Sequence, residues 1–228
     1  MGHSAGTLCA KRQHAMLSVD KLAFECAGKR LFSDVAFEVE QGQVLKIHGP
    51  NGTGKTTLLR VLAGSLRPSA GVVRWHGEDA HRHPDAWRRS IAYLGALNGI
   101  SDALSAVENL RFAAAFSPST EHRSGSEEQQ ALKRVGLDGY QHAIVRGMSH
   151  GQKRRLAISR LLLAHKPLWL LDEPAEAPYD DLSDVLERCI AAHLDRGGIV
   201  LMTTHRPINT APAATRNVYF EPGGRCSD

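Results

Sequence analysis

The sequence predicts an α/β fold built around a buried parallel β-sheet, and three observations lead to this prediction. Largely apolar runs at 44–48, 168–171 and 199–204 have the length and composition of strands that are covered on both faces. A helical pattern occupies residues 57–63. The glycine-rich segment 49–56 joins the first strand to this helix, a short connection that is typical of α/β proteins.

The segment 49–56 reads Gly-Pro-Asn-Gly-Thr-Gly-Lys-Thr and matches the pattern G-x-x-x-x-G-K-[ST] at every fixed position. Its glycines allow consecutive N–H groups to surround a phosphate, and a helix that begins at about Gly54 adds partial positive charge. The order strand, loop and helix disfavours the alternative of a turn that binds nothing. We expect Lys55 to reach the β- and γ-phosphates and Thr56 to bind Mg²⁺. The residues predicted to bind a nucleoside triphosphate are Gly49, Pro50, Asn51, Gly52, Thr53, Gly54, Lys55, Thr56 and Thr57.

A second group of candidate residues lies around the strand at 168–171. Asp172 and Glu173 follow this strand directly, where an Asp can hold Mg²⁺ and a neighbouring carboxylate can act as general base on water. Both could instead cap the next helix, an alternative that Pro174 and the upstream phosphate pattern weaken. Ser149 and Gln152, with Gly151 between them, precede a helical pattern and also fit an ordinary capping box.

His205 follows the strand at 199–204 and is the last candidate along the chain. An imidazole at this position lies at the same sheet edge as the phosphate loop, where it can contact a γ-phosphate. A lone histidine is usually structural, so this interpretation rests on the order of the motifs.

That order is a phosphate loop, Ser-x-Gly-Gln, an apolar strand ending in Asp-Glu, and an apolar strand ending in Thr-His. It resembles the ATP-binding cassette ATPases. Residues 25–207 are also similar to the ATP-binding subunits of the haem exporter used in cytochrome c maturation, the CcmA family. This narrower similarity is carried by the segments 58–64, 91–95, 108–112, 166–174 and 197–205.

The resemblance implies a P-loop NTPase fold of the cassette type, with one domain over 17–228. An antiparallel β subdomain is expected between 17 and about 77, and a helical subdomain that contacts membrane partners at about 98–147. Residues 1–16 are expected to form a disordered extension.

The resemblance also implies a function and partners. Two copies would bind ATP and Mg²⁺ head to tail, with Ser149, Gly151 and Gln152 of one copy covering the nucleotide on the other. Glu173 and His205 would act with Lys55 in hydrolysis. The dimer would power separate transmembrane subunits from the cytoplasmic face of the inner membrane, without nucleic acid. The alternatives are a nucleotide-gated assembly module with weak hydrolysis and the ATPase of another small bacterial exporter.

Four departures from the cassette pattern predict weakened or altered hydrolysis. Cassettes usually carry a Gln after the strand ending near Leu94, whereas Leu97 occupies the equivalent position here and Asn98 is the nearby amide. The segment 176–180 replaces the usual Ser/Thr-Ala-Leu-Asp turn. The third departure is Cys26, which stands where many cassettes have an aromatic residue that stacks on adenine. The fourth is His150, which replaces a small residue inside the Ser-x-Gly-Gln motif.

Composition is compatible with a compact ATPase. The 228 residues are 42% hydrophobic and 23% charged, with a formal net charge of +4 and no apolar run long enough to span a membrane. The four cysteines are scattered and predict no disulfide framework or zinc site. Between the motifs we expect a helix at 105–114, an exposed linker at 117–130 and a second helix at 128–135.

Overall fold

A computed structural model describes residues 16–115, 125–175, 180–221 and 226–227. Ten strands lie in these ranges: β1 (Leu17–Cys26), β2 (Lys29–Val39), β3 (Val44–His48), β4 (Ala70–Trp75), β5 (Glu78–Asp79), β6 (Ile91–Leu94), β7 (Leu168–Asp172), β8 (Ile199–Thr203), β9 (Thr215–Phe220) and β10 (Cys226–Ser227). The α-helices are α1 (Lys55–Leu62), α2 (Pro84–Arg89), α3 (Ala106–Ala115), α4 (Gly125–Arg134), α5 (His150–Ala164) and α6 (Asp180–Leu194). Short 3₁₀ turns occupy Val145–Gly147 and Pro212–Ala214.

The strands form two sheets. Six strands in the order β10-β9-β3-β8-β7-β6 make a sheet in which only the β10–β9 pair is antiparallel. The other four strands, in the order β2-β1-β4-β5, make an antiparallel sheet. The predicted parallel strands and the antiparallel layer are therefore confirmed.

The central strands are buried on both faces, and alternate residues feed two separate cores. In β7, Leu168 and Leu170 pack with the antiparallel sheet and α1, whereas Trp169 and Leu171 pack with α5 and the helices before it. Burial on both faces explains why β7 and β8 are continuous apolar runs without alternation. The parallel sheet is thus fixed between two layers, and its carboxyl edge presents the loops that follow β3, β7 and β8.

The helical region between β6 and α5 differs from the sequence expectation at one point. α4 spans Gly125–Arg134, so the predicted helix at 128–135 is present and begins three residues earlier than predicted. The predicted linker at 117–130 is wrong over residues 125–130, which are helical. The sequence there is polar because only one narrow side of α4 is buried, through Glu128, Ala131 and Leu132. Residues 117–124 of that linker lie outside the described ranges, and the boundaries 98–147 of a helical subdomain stay a prediction.

The predicted N-terminal extension at 1–16 and the altered turn at 176–180 fall largely outside the residues that the structure describes. Residues 1–15 of the predicted extension lie outside the described residues, whereas the Met16 amide donates to Val39 O at 3.0 Å. Residues 176–179 of the altered turn also lie outside them. Within the described ranges, no helix combines the length and the apolar character that a membrane crossing requires.

Candidate functional site

The loop between β3 and α1 has a backbone that only glycine adopts readily. Gly49, Gly52 and Gly54 have φ values of 140°, 82° and 103°. A Cβ on Gly49 would lie 2.5 Å from the carbonyl oxygen of Phe220, so the position excludes any side chain. Gly54 is the N-cap of α1, and the partial positive charge of this helix is directed at the loop. The loop therefore has the form of an anion cradle, as the sequence predicts.

Lys55 is the first residue of α1, and its ammonium group lies over the loop. Nζ donates to Gly49 O at 2.7 Å and to Pro50 O at 2.9 Å. Burial lowers the pKa of Lys55, and the negative charges of Glu173 and Asp172 act in the opposite direction. The cation is thus held between the loop and the two acids, where an anionic ligand would gain most from it.

Asp172, the last residue of β7, joins the loop to the neighbouring strand. Its Oδ1 accepts from the Thr56 hydroxyl at 3.0 Å and from the Thr203 hydroxyl at 2.8 Å. The carboxylate is buried, and the parallel register pairs Asp172 with Thr203. A hydroxyl and one carboxylate are hard oxygen donors, and Mg²⁺ commonly takes one or two such protein ligands together with phosphate and water. Thr56 and Asp172 therefore fit a Mg²⁺ ion.

Glu173 is held through both its backbone and its carboxylate. Its φ is 46°, a left-handed conformation that is uncommon for a residue with a side chain. Its amide donates to Thr203 Oγ1 at 3.0 Å, Oε2 accepts from the His205 amide at 3.2 Å, and Oε1 lies 3.3 Å from His205 Nε2. Strain at a polar residue beside a phosphate loop indicates a functional position. The arrangement suits a base that faces the loop and is aligned by an imidazole.

The remaining loop residues have smaller structural roles. Thr53 is buried and its hydroxyl donates to Pro50 O at 2.9 Å, which closes the loop on itself. Asn51 is exposed, and Thr57 is partly buried on the first turn of α1.

Ser149, Gly151 and Gln152 form the start of α5. Ser149 Oγ accepts from the Gln152 amide at 3.2 Å, and Gln152 Oε1 accepts from the Ser149 amide at 2.8 Å, so the capping box is present. Ser149 is exposed and Gly151 is buried. Across the described residues, no hydrogen bond connects this helix start with the phosphate loop. Within one copy, the structure therefore brings together the loop, the acids and His205, but not the Ser-x-Gly-Gln motif.

The residues that depart from the cassette pattern differ in their exposure and contacts. Leu97 is 88% exposed, so the residue at the usual Gln position makes no buried contact. Asn98 Oδ1 accepts from Arg154 Nη1 at 3.1 Å. Cys26 and His150 are both exposed.

Two residues of this region were absent from the sequence prediction. The pattern at 199–204 predicts only a strand for Thr203, because the acid that its hydroxyl contacts lies on the neighbouring strand β7 and is not adjacent in the sequence. Arg154 donates to five oxygen atoms of the β6 loop and the β7 end, although in the sequence it belongs to a basic run that resembles a solvated helix face.

Comparison with known proteins agrees with this geometry. Residues 32–176 match the family model described as ABC transporter. The chain is 41% identical to the cytochrome c biogenesis ATP-binding export protein CcmA of Paraburkholderia xenovorans (strain LB400), over 93% of this chain and 100% of that protein. It is 40% identical to the protein of the same name from Escherichia coli (strain K12), over 89% and 95% of the two chains.

Solved structures share the fold. The ATP-binding subunit of an ABC transporter superposes with a TM-score of 0.79 at 25% identity, covering 92% of this chain and 87% of the other. A dimeric bacterial ABC transporter cassette gives 0.81 at 23% identity, covering 93% and 97%. The P-loop NTPase fold of the cassette type is thereby confirmed. The chain is an ABC-type, ATP-binding ATPase that belongs to the family of cytochrome c biogenesis ATP-binding export proteins.

Proposed function

We propose that this chain is the ATP-hydrolysing subunit of the haem exporter of cytochrome c biogenesis. The observation that supports hydrolysis is the meeting of a phosphate loop, an Asp–Thr pair and a clamped glutamate at one sheet edge. Family membership supports the place in cytochrome c biogenesis. The chain would act at the cytoplasmic face of the inner membrane on separate transmembrane subunits, and haem is the cargo we propose.

The residues have separate roles in this proposal. The loop from Gly49 to Thr57 binds the phosphates through its backbone N–H groups, which every residue except Pro50 supplies, and through the Lys55 ammonium. Thr56 and Asp172 would hold Mg²⁺, and the ion would supply positive charge that offsets the negative charge of the triphosphate. Glu173 orients and deprotonates the attacking water, because its carboxylate is fixed beside the loop. His205 aligns Glu173 and contacts the γ-phosphate from the end of β8.

We also propose that two copies close around ATP head to tail. In one copy the capping box leaves Ser149 exposed, and no described hydrogen bond joins it to the phosphate loop of its own chain. In this proposal a second copy brings its Ser149, Gly151 and Gln152 over the nucleotide. Closure and opening of the dimer would drive the membrane subunits.

One observation favours a second candidate, a nucleotide-gated assembly module with slow hydrolysis. Leu97 is exposed where cassettes usually carry a Gln, and the neighbouring amide of Asn98 is engaged by Arg154. The phosphate loop at 49–57, which is proposed to bind the nucleotide, keeps every fixed position of its pattern. Such a module would bind ATP and close without efficient turnover.

The deciding experiment compares Lys55→Ala with Glu173→Gln, both in the purified chain and in the chromosome of the native host. We expect Glu173→Gln to bind ATP normally and to lose at least about 100-fold in turnover, because the base is removed while the cradle remains. Covalently haem-stained c-type cytochromes, measured beside apocytochrome levels, should disappear in both strains.

The alternatives give different results. Loss of haem staining only with Lys55→Ala would favour the assembly module. Normal cytochromes in both strains would indicate another small exporter and exclude the haem assignment. Wild-type turnover in Glu173→Gln would overturn the role given to that carboxylate.

A further inference from the structure

The most heavily hydrogen-bonded side chain near the site belongs to Arg154, on the first turns of α5. It is only 8% exposed. Its Nε donates to Pro174 O at 2.9 Å and its Nη2 to Glu173 O at 3.0 Å and, more weakly, to Asp172 O at 3.4 Å. On the other side, Nη1 donates to Gly95 O at 2.8 Å and to Asn98 Oδ1 at 3.1 Å.

These contacts place one guanidinium between two segments that are distant in sequence. One segment is the loop after β6, from Gly95 to Asn98, and the other is the end of β7, from Asp172 to Pro174. The planar fork of an arginine presents donors on opposite edges in fixed directions, so a single group can hold both segments at once. A lysine has one nitrogen and cannot span both.

The contact with Glu173 bears directly on its conformation. The Glu173 amide is held by Thr203, and its carbonyl is held by Arg154. Both peptide groups that flank a left-handed residue are therefore fixed, and the side chain is directed to His205. Without Arg154 the carbonyl side of this residue would be free to relax.

We propose that Arg154 is a positioning residue for hydrolysis, which locks Glu173 in its strained conformation and couples it to the β6 loop. This inference rests on the proposed role of Glu173 as the base. Movement of the loop at Gly95–Asn98 is transmitted to Glu173 through the guanidinium. The hydrogen bonds described for Arg154 reach the β6 loop and the end of β7, so we expect it to act on the chemical step through Glu173.

The neighbouring Arg160 supplies a matched control. It lies on the same helix and its Nη1 donates to Asn98 O at 3.1 Å and also to Gly99 O. It therefore holds the β6 loop without reaching the end of β7. Arg154→Lys and Arg160→Lys both keep the positive charge, and they differ in whether the link to Glu173 is broken.

The test measures ATP turnover of the full-length chain, with Tm as a check on folding. Arg154→Lys should lower kcat about 10- to 100-fold, because a small misplacement of a catalytic group costs this much, and should leave KM for ATP within about threefold. Arg160→Lys should keep kcat within about twofold. Equal kcat losses in the two variants, or a normal kcat in Arg154→Lys, would overturn the proposal.

A cycle with Glu173→Gln separates this inference from the proposed function. In single-turnover assays with radiolabelled ATP, Arg154→Lys should add no further loss in the Glu173→Gln background, since it acts through that carboxylate. An independent, additive loss would show that Arg154 has another role. If Glu173→Gln alone has normal turnover, the proposed function fails at the base, whatever Arg154 does.

Discussion

Thr203 places one hydroxyl between the two acidic residues of the site. It donates to Asp172 Oδ1 at 2.8 Å and accepts from the Glu173 amide at 3.0 Å, and it is fully buried. A single side chain thus orients the proposed Mg²⁺ ligand and supports the backbone of the proposed base. Burial makes this hydroxyl important, because a buried acceptor or donor that loses its partner keeps its full desolvation cost.

Thr203→Val should remove both hydrogen bonds without changing the shape of the site. We expect the free energy of unfolding to fall by about 1–3 kcal/mol and kcat to fall about tenfold, since two buried polar groups lose a partner. Thr203→Ser keeps the hydroxyl and should restore most of kcat. Urea denaturation and steady-state ATP turnover measure these effects. A Val variant with wild-type values of both would show that Thr203 only fills space.

At the scale of elements, β7, α6 and β8 meet around a stacked pair of rings at the edge of the sheet opposite to the phosphate loop. His193 of α6 lies on Trp169 of β7 with ring centroids 4.0 Å apart and an interplanar angle of 10°. Its Nε2 is 3.3 Å from Ile199 O at the start of β8, and a Cβ on Gly198 would overlap the ring. Burial lowers the pKa of His193 to about 4, and the charge of Arg196 acts in the same direction.

This pKa makes stability depend on pH. An unfolded histidine titrates near pH 6.5, so between about pH 4 and 6.5 the unfolded chain binds a proton that the folded chain does not. Stability from this group is therefore complete above pH 6.5 and is lost as the pH falls toward 4, by roughly 3 kcal/mol. Urea titrations of the wild type and His193→Gln should show a flatter pH dependence in the variant. The exposed His83→Gln should match the wild-type slope; an unchanged slope in His193→Gln would contradict the assignment.

The same elements show what the sequence could and could not predict. The strands β3, β7 and β8 and the loop before α1 were predictable, because burial on both faces and the need for glycine leave direct marks on residue type. The start of α4 was missed because a helix with one narrow buried side is otherwise polar. The contacts of Thr203 and Arg154 depend on which strands and loops are neighbours, and strand order is a tertiary property that local pattern does not encode.

At the scale of the whole molecule, the site of one copy lacks the Ser-x-Gly-Gln motif. The loop, the acids and His205 lie at the carboxyl edge of the parallel sheet, whereas Ser149 caps α5 and is exposed. The proposed head-to-tail dimer places Ser149 against the phosphates held by the second copy. The dimer should therefore be sensitive to a negative charge at position 149 and insensitive to uncharged substitutions that keep the cap.

Ser149→Asp and Ser149→Asn form a pair that tests this sensitivity. Both side chains are good N-caps and can accept from the Gln152 amide as Ser149 does, so the start of α5 is preserved in each. Asp adds a carboxylate that would face the triphosphate, and like-charge repulsion should open the dimer. In the Glu173→Gln background with ATP, size exclusion with light scattering should show a dimer for Ser149→Asn and a monomer for Ser149→Asp. ATP affinity of the monomer should be equal in the two, because the described hydrogen bonds of Ser149 join it to Gln152 and not to the loop of its own chain. A stable Ser149→Asp dimer would exclude the head-to-tail arrangement.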